Sequence, residues 1–252
     1  MPVPSFLRKV IHRLPAPVRH ALRRSNSLRI VRSFTPAEWD YHAFASRHLR
    51  PGDCAVDAGA NIGYISRLLA DLVGPSGRLH SFEPVRETRE ILAHCMRTLG
   101  YGQVTVHAAG VSDHSGLARV SVPDYAGGGR NYYESAVTRD GSGGEEVSLV
   151  TLDECLAGET RPVRFIKIDV EGHELEAVRG ARALIARWRP ALLIEIQGDP
   201  SAPAGAAREL FDLLRGSDYL PFLWRNGDTV PWRPGQNSVD YVFLPATEAA
   251  PP

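Results

Sequence analysis

The chain has 252 residues, 43% of them apolar, and a formal net charge of zero, enough to bury the core of one large domain. Its three cysteines, Cys54, Cys95 and Cys155, are far apart and form no C-x-x-C pair, which argues against a disulfide framework or a zinc site. No apolar run approaches the ~18 residues that span a bilayer, and the N-terminus lacks the uninterrupted apolar segment of a secretory signal. The expectation is therefore a soluble protein of a reducing cytoplasm.

The neutral total conceals a basic arm on an acidic body. Residues 1–34 hold eight Arg or Lys and no Asp or Glu, leaving 21 basic and 29 acidic groups in the remainder. Only Lys9 and Lys167 are lysines, a bias that by itself indicates no function.

In the first 50 residues, a basic helical extension, "SFLRKVIHRL" places Phe6, Leu7, Val10, Ile11 and Leu14 at helical spacing with basic residues between them. Such a helix suits either packing on its own domain or peripheral contact of residues 1–14 with a partner or with anionic lipid at the inner membrane face. Pro15 and Pro17 end it, "PAEWDYHAFASRHL" predicts a second helix, and Pro51-Gly52-Asp53 turns the chain into a domain spanning 51–246.

There "CAVDAGA", "RLHSFEP", "VTVHAAGV", "VRFIKIDV" and "ALLIEIQ" are short, nearly continuous apolar strands. Helical segments at 62–72, 85–99 and 173–188 lie between most of them. This alternation predicts an α/β fold with a doubly wound, mostly parallel sheet. A β-excursion with a glycine-rich loop separates the third and fourth strands. After a helix near 206–215, "YLPFLWRNGD" and "SVDYVFLP" are too close for a crossover helix and should pair antiparallel. Residues 247–252 form a disordered tail.

Chemistry concentrates at two places. In "VDAGANIGYIS" a buried strand passes into a helix through Gly59 and Gly63, with Asp57 at the strand's end. Glycines there let the backbone approach a ligand at the start of a helix. Glu83 ends the next strand, where a carboxylate can accept both hydroxyls of a ribose. The run Asp57-x-Gly59-x-Asn61-x-Gly63 lacks the middle glycine of G-x-G-x-x-G, and Asp57 would repel phosphates while suiting a cation. The charge logic favours S-adenosylmethionine, a sulfonium with no phosphate, over NAD. Asp113 is either an acceptor for the exocyclic amine of adenine or a turn residue.

Together with "FEP", "VSDHSG", "VTLDECL" and "FIKIDVEGHELEAVRGA" followed by "LLIEI", that motif resembles the FkbM family of SAM-dependent methyltransferases. The resemblance covers roughly residues 36–245. It implies a Rossmann-like class I methyltransferase fold whose seven-stranded sheet has an antiparallel last strand, and O-methylation of sugars and macrolide-type natural products. It also implies that Asp57, Gly59, Asn61 and Gly63 line the methionine part of the donor, with Glu83 at the ribose and Asp113 near adenine. The basic arm and the glycine-rich excursion lie outside the family pattern.

Methyl transfer is an in-line displacement, so positioning does most of the work. A base helps as the bond forms. His173 is a candidate base, or else it orients a helix start. Asp169 and Glu171 follow the fourth strand and Glu195 ends the next, so they meet at one crevice to bind acceptor hydroxyls. Mg²⁺ on Asp169 and Glu195 is not favoured, for want of a third ligand. Lys167 shares the side of Asp169 and either pairs with a carboxylate inside the site or snorkels at the strand margin. Asn131, Tyr132 and Tyr133 are a candidate acceptor lid or an ordinary loop. The expected partner is a glycosyl, glycolipid or secondary-metabolite acceptor, with no nucleic acid. The alternatives are an NAD-dependent oxidoreductase and a non-catalytic module that binds SAM and a glycan.

Overall fold

The computed structural model describes residues 14–121, 136–137 and 144–247. The basic helix at 6–14 apart from Leu14, the lid residues Asn131, Tyr132 and Tyr133, and the tail beyond 247 lie outside the described residues.

The first described helix, α1 (Ala16–Ser33), begins where the sequence suggested an end. Pro17 lies in its first turn, where a missing N–H breaks no helical bond. Helix α1 is held from outside: Arg23 Nη1 donates to Glu87 at 2.7 Å and Arg24 Nη2 lies 2.8 Å from His94 Nδ1, both on a later helix. The segment expected as one helix over 36–49 divides into a single 3₁₀ turn (Pro36–Glu38) and α2 (His42–His48).

The chain then runs β1 (Cys54–Ala58), α3 (Tyr64–Val73), β2 (Arg78–Phe82), α4 (Arg86–Leu99) and β3 (Val104–His107). The excursion forms a second sheet, in the order β4 (Gly110–Val111), β7 (Glu145–Val150), β5 (Gly116–Ser121), β6 (Ala136–Val137). After α5 (Leu152–Cys155), the main sheet resumes with β8 (Val163–Ile168). The helix expected over 173–188 is split into α6 (Glu174–Arg179) and α7 (Arg182–Trp188). At the break, a Cβ on Gly180 would lie 1.8 Å from the Ser112 carbonyl oxygen, so two backbones meet where only glycine fits. β9 (Ala191–Glu195), α8 (Ala206–Arg215), β10 (Tyr219–Arg225), β11 (Asp228–Pro231) and β12 (Asp240–Pro245) complete the chain.

The main sheet has the order β11-β10-β12-β9-β8-β1-β2-β3. β3, β2, β1, β8 and β9 are mutually parallel, and β12 pairs antiparallel with both β9 and β10. The resemblance implied seven strands; there are eight. Asn226 and Gly227, both at positive φ (53° and 80°), fold β11 back onto β10, as an Asn-Gly hairpin turn does. All five residues of β1 are buried because helices cover both faces. Val56, Ile166, Leu192 and Ile194 pack towards α6, α7 and α8. The alternating Ala55, Phe165 and Leu193 pack towards α2 and α3. No helix among the described residues is long and apolar enough to cross a membrane.

Candidate functional site

The carboxyl ends of β1, β2, β8 and β9 open onto two adjoining cavities. The first, of about 210 Å³, is lined by Asp57, Gly59, Asn61 and Glu83 on one side and by Lys167, Asp169, Glu195 and His173 on the other. The second, of about 530 Å³, lies between that sheet edge and the Phe34–Tyr41 segment. Tyr64, Ile65, Lys167, Asp169 and Glu195 border both.

Gly59 creates the approach of β1 to β8. Its φ is +82°, and a Cβ there would fall 1.7 Å from the Asp169 carbonyl oxygen. Gly59→Ala must therefore spread the two strand ends and displace Asp169. We expect a loss of ~3 kcal/mol or more, at the severe end for a strained backbone substitution, read as a lower midpoint in denaturant unfolding.

Asn61 also takes positive φ (49°). Its side-chain oxygen accepts the Ile62 N–H at 2.8 Å, and its own N–H donates to Glu83 Oε2 at 3.0 Å. Glu83 Oε1 accepts the Val85 N–H at 2.9 Å. Burial nevertheless pushes the Glu83 carboxyl up to about 7, against the help of those two donors. Asp57 is fully buried; Oδ2 accepts from Ser66 Oγ at 2.6 Å, and Oδ1 has no hydrogen-bond partner.

Lys167 joins the two cavities electrically. Its Nζ donates to Asp169 Oδ2 at 3.0 Å and lies 3.6 Å from Asp57 Oδ1. Burial opposes its charge, but the two carboxylates prevail and hold its pKa above the ordinary lysine value. The ammonium is thus a fixed charge.

Asp169, Glu171 and Glu195 offer carboxylate oxygens within 4.8 Å of one another, so Glu171 provides the third oxygen that a cation on Asp169 and Glu195 would need. Glu171 also accepts from Gln197 Nε2 at 3.2 Å. The antiparallel register of β12 sets Asp240 opposite Glu195, adding a fourth carboxyl. Burial, followed by the charges of Asp169, Asp240 and Glu171, pushes Glu195 up to about 7.

Three further sequence candidates are held by local contacts. His173 lines the first cavity but not the second. Glu171 and Gly172 both turn through positive φ (52° and 88°), and the His173 ring lies against Ser112, with Nε2 2.9 Å from its Oγ. Burial lowers its pKa, which keeps it neutral near pH 7. Asp113 is absent from the cavity lining and is held by His114 Nδ1 at 2.7 Å, the contact that lowers its pKa. Gly63 is also outside the lining, and its Cα faces Leu92 and Met96.

The Phe34–Tyr41 wall went unrecognised in the sequence. The Phe34 ring meets Tyr64 edge-on with centroids 4.9 Å apart, and the Phe34 carbonyl accepts from Arg67. Trp224 Nε1 donates to the Asp40 carbonyl at 2.9 Å. Burial, and then Asp240, raise the pKa of the Tyr41 hydroxyl, which is hydrogen-bonded to that carboxyl. Trp39 and Tyr41 line the second cavity together with Asp169, Glu195 and Asp240.

The strand order, with β12 antiparallel, is that of an α/β class I methyltransferase-like fold. A protein-L-isoaspartate O-methyltransferase of Ignicoccus hospitalis is 38% identical over 58 residues, 23% of this chain and 28% of that protein. Its counterpart in Aeropyrum pernix is 36% identical over 78 residues, 29% of this chain and 30% of that one. The alignments thus span less than a third of these curated relatives. Among solved structures, methyltransferase FkbM from Methylobacillus flagellatus KT is 18% identical; 88% of this chain and 59% of that chain are covered, with a TM-score of 0.48. The family model for the methyltransferase FkbM domain matches residues 57–221, well over half of the chain, and the chain accordingly belongs to the FkbM family of methyltransferases.

Proposed function

We propose that this chain is a SAM-dependent O-methyltransferase whose acceptor is a hydroxyl of a glycosyl or related natural-product molecule. The observation that carries this reading is the pair of adjoining cavities sharing Lys167, Asp169 and Glu195 as their common wall.

The first cavity suits SAM by charge. Asp57, Glu83 and Asp169 line it, and among its described lining residues the only basic groups are Lys167 and His173. A cationic donor without phosphate suits that set better than a dinucleotide. Glu83 spends one lone pair of each oxygen on a backbone N–H, which leaves acceptor capacity for ribose hydroxyls. Gly59 and Asn61 shape the turn beside it. When bound, SAM supplies an electrophilic methyl on a sulfonium.

The protein's own part is positioning and proton handling. Asp169 and Glu195 are placed to accept hydrogen bonds from the acceptor hydroxyl on the wall between the cavities. Lys167 fixes the Asp169 carboxylate. Glu195, with its pKa near 7, is matched to take the proton as the new C–O bond forms. Trp39 and Tyr41 supply flat apolar faces with polar edges, suited to a ring bearing several hydroxyls. His173, held at Ser112 and outside the second cavity, is assigned to the donor side and not to the base role.

Side-by-side calorimetry with SAM and NAD tests the donor, and labelled-methyl transfer to a panel of hydroxylated glycans tests the acceptor. SAM should bind while NAD does not; NAD binding without SAM binding overturns the reading. SAM affinity should rise with pH through about 7, because Glu83 must ionise to accept hydroxyl hydrogens. Glu83→Gln should weaken SAM ~10–100-fold, the worth of one hydrogen bond to a charged group, and flatten that pH dependence.

A further inference from the structure

At the amino ends of β1 and β8, away from the edge that carries both cavities, three dissimilar side chains converge. Cys54 starts β1, His80 lies in the middle of β2, and Glu159 belongs to the connection that precedes β8. Their ligand atoms, Sγ, an imidazole nitrogen and a carboxylate oxygen, lie within 4.8 Å of one another. We infer that Cys54, His80 and Glu159 bind a zinc-class divalent cation that ties β1, β2 and the 156–162 connection together.

The spacing supports a shared ion. His80 Nε2 and Glu159 Oε2 are 3.3 Å apart, long for a charge-assisted hydrogen bond. It matches the ~3.3 Å that separates two ligands at ~2.0–2.1 Å on a tetrahedral zinc. Mixed sulfur, nitrogen and oxygen donors suit zinc and not Mg²⁺ or Ca²⁺.

The surroundings hold the ligands in place. His80 Nδ1 lies 2.9 Å from His107 Nε2, and the His107 ring is stacked on Phe82 with centroids 4.2 Å apart. With a cation on Nε2, His80 donates its Nδ1–H to His107, the outer-shell bond that fixes a ligating imidazole. Glu159 Oε1 is occupied by the N–H groups of Thr160 and Arg161 at 2.9 and 2.8 Å and by the Arg161 guanidinium at 3.4 Å. Oε2 is thereby aimed at His80.

Charge also closes. A divalent cation, one thiolate and one carboxylate sum to zero, the condition under which a buried ionic site is tolerated. Binding forms the metal–sulfur bond and releases one proton to solvent, and a water completes the fourth position. The spacing of the cysteines could not reveal this site, because its ligands come from three separate segments.

The test uses the full-length protein, stripped by a chelator and dialysed against Zn²⁺ or Co²⁺. Wild type should bind one equivalent, show a cobalt–thiolate charge-transfer band and melt higher with Zn²⁺. Cys54→Ser should abolish the band, His80→Gln should weaken binding at least ~10-fold, and His107→Gln, which removes no ligand, should weaken it ~10–100-fold. Glu171→Gln should leave binding intact. Wild type without stoichiometric binding below millimolar Zn²⁺ overturns the proposal, as does a thiolate band that survives Cys54→Ser. Loss of binding in Glu171→Gln alone would move the ion to the Asp169 cluster and overturn it as well. Where Cys54→Ser fails to fold, the wild-type band and the His107→Gln affinity decide.

Discussion

Glu195→Gln is expected to lower kcat ~10²–10⁴-fold, the usual worth of a general base, while SAM affinity changes little. The amide keeps the shape and a hydrogen-bond acceptor but cannot take a proton. In wild type, kcat should fall tenfold per pH unit below about 7, where Glu195 becomes protonated. The variant should lose that limb. Stability should move the other way. The folded-state pKa of Glu195, about 7, lies above the ~4.3 of an unfolded glutamate, so its contribution is complete below ~4.3 and is lost as pH rises through 7. Above pH 7, where wild type carries an ionised Glu195 among Asp169, Asp240 and Glu171, the variant should melt higher. Retention of the acidic limb by the variant, or of most of its kcat, would reassign the proton to another group. A rate independent of added Mg²⁺ separates the base role from cation binding at the same carboxylates.

The part of the first cavity lined by Asp57, Gly59, Asn61 and Glu83 was legible in the sequence because it is made locally. Asp57, Gly59 and Asn61 belong to one strand–turn–helix stretch, and Glu83 ends the adjacent parallel strand, so spacing and residue chemistry sufficed. Lys167, in β8, and Asp169, just past its end, are two residues apart and share a face by strand period. The second cavity depends on contacts that no local pattern records. The wall at Phe34–Tyr41 is held by Trp224, 184 residues away from Asp40. Asp240 joins Asp169 and Glu195 only through the antiparallel register of β12. Helix α1 shows little apolar periodicity, and part of its attachment is polar, through the Arg23–Glu87 ion pair and the Arg24–His94 hydrogen bond. The left-handed turn at Glu171 and Gly172 likewise sets His173 against Ser112, a contact between distant segments. A local signal did exist for β11, the Asn226-Gly227 pair, which is the strongest short-range mark of a hairpin.

Lys167→Met should be strongly destabilising. It keeps the volume and removes the ammonium that faces Asp57 and Asp169. Asp57 is wholly buried and Oδ1 already lacks a hydrogen-bond partner, so losing Lys167 leaves a buried carboxylate supported by Ser66 alone. Breaking one side of a buried ion pair costs ~3–5 kcal/mol. Asp169, 30% exposed, can recover hydration, which places the expected loss near ~3 kcal/mol. For a chain of this size that lowers Tm by roughly 6–12 °C. Adding Asp57→Asn should restore part of the loss, because the second change removes the charge that the first left unpaired; the double-mutant cycle measures that coupling. Two independent, additive losses would mean that Lys167 serves Asp169 alone. Activity should fall further than stability requires, since a freed Asp169 no longer holds its place on the wall between the two cavities. Lys167→Arg should fail to rescue it: the planar guanidinium is too broad for a cavity in which a compact ammonium meets two carboxylates at 3.0 and 3.6 Å.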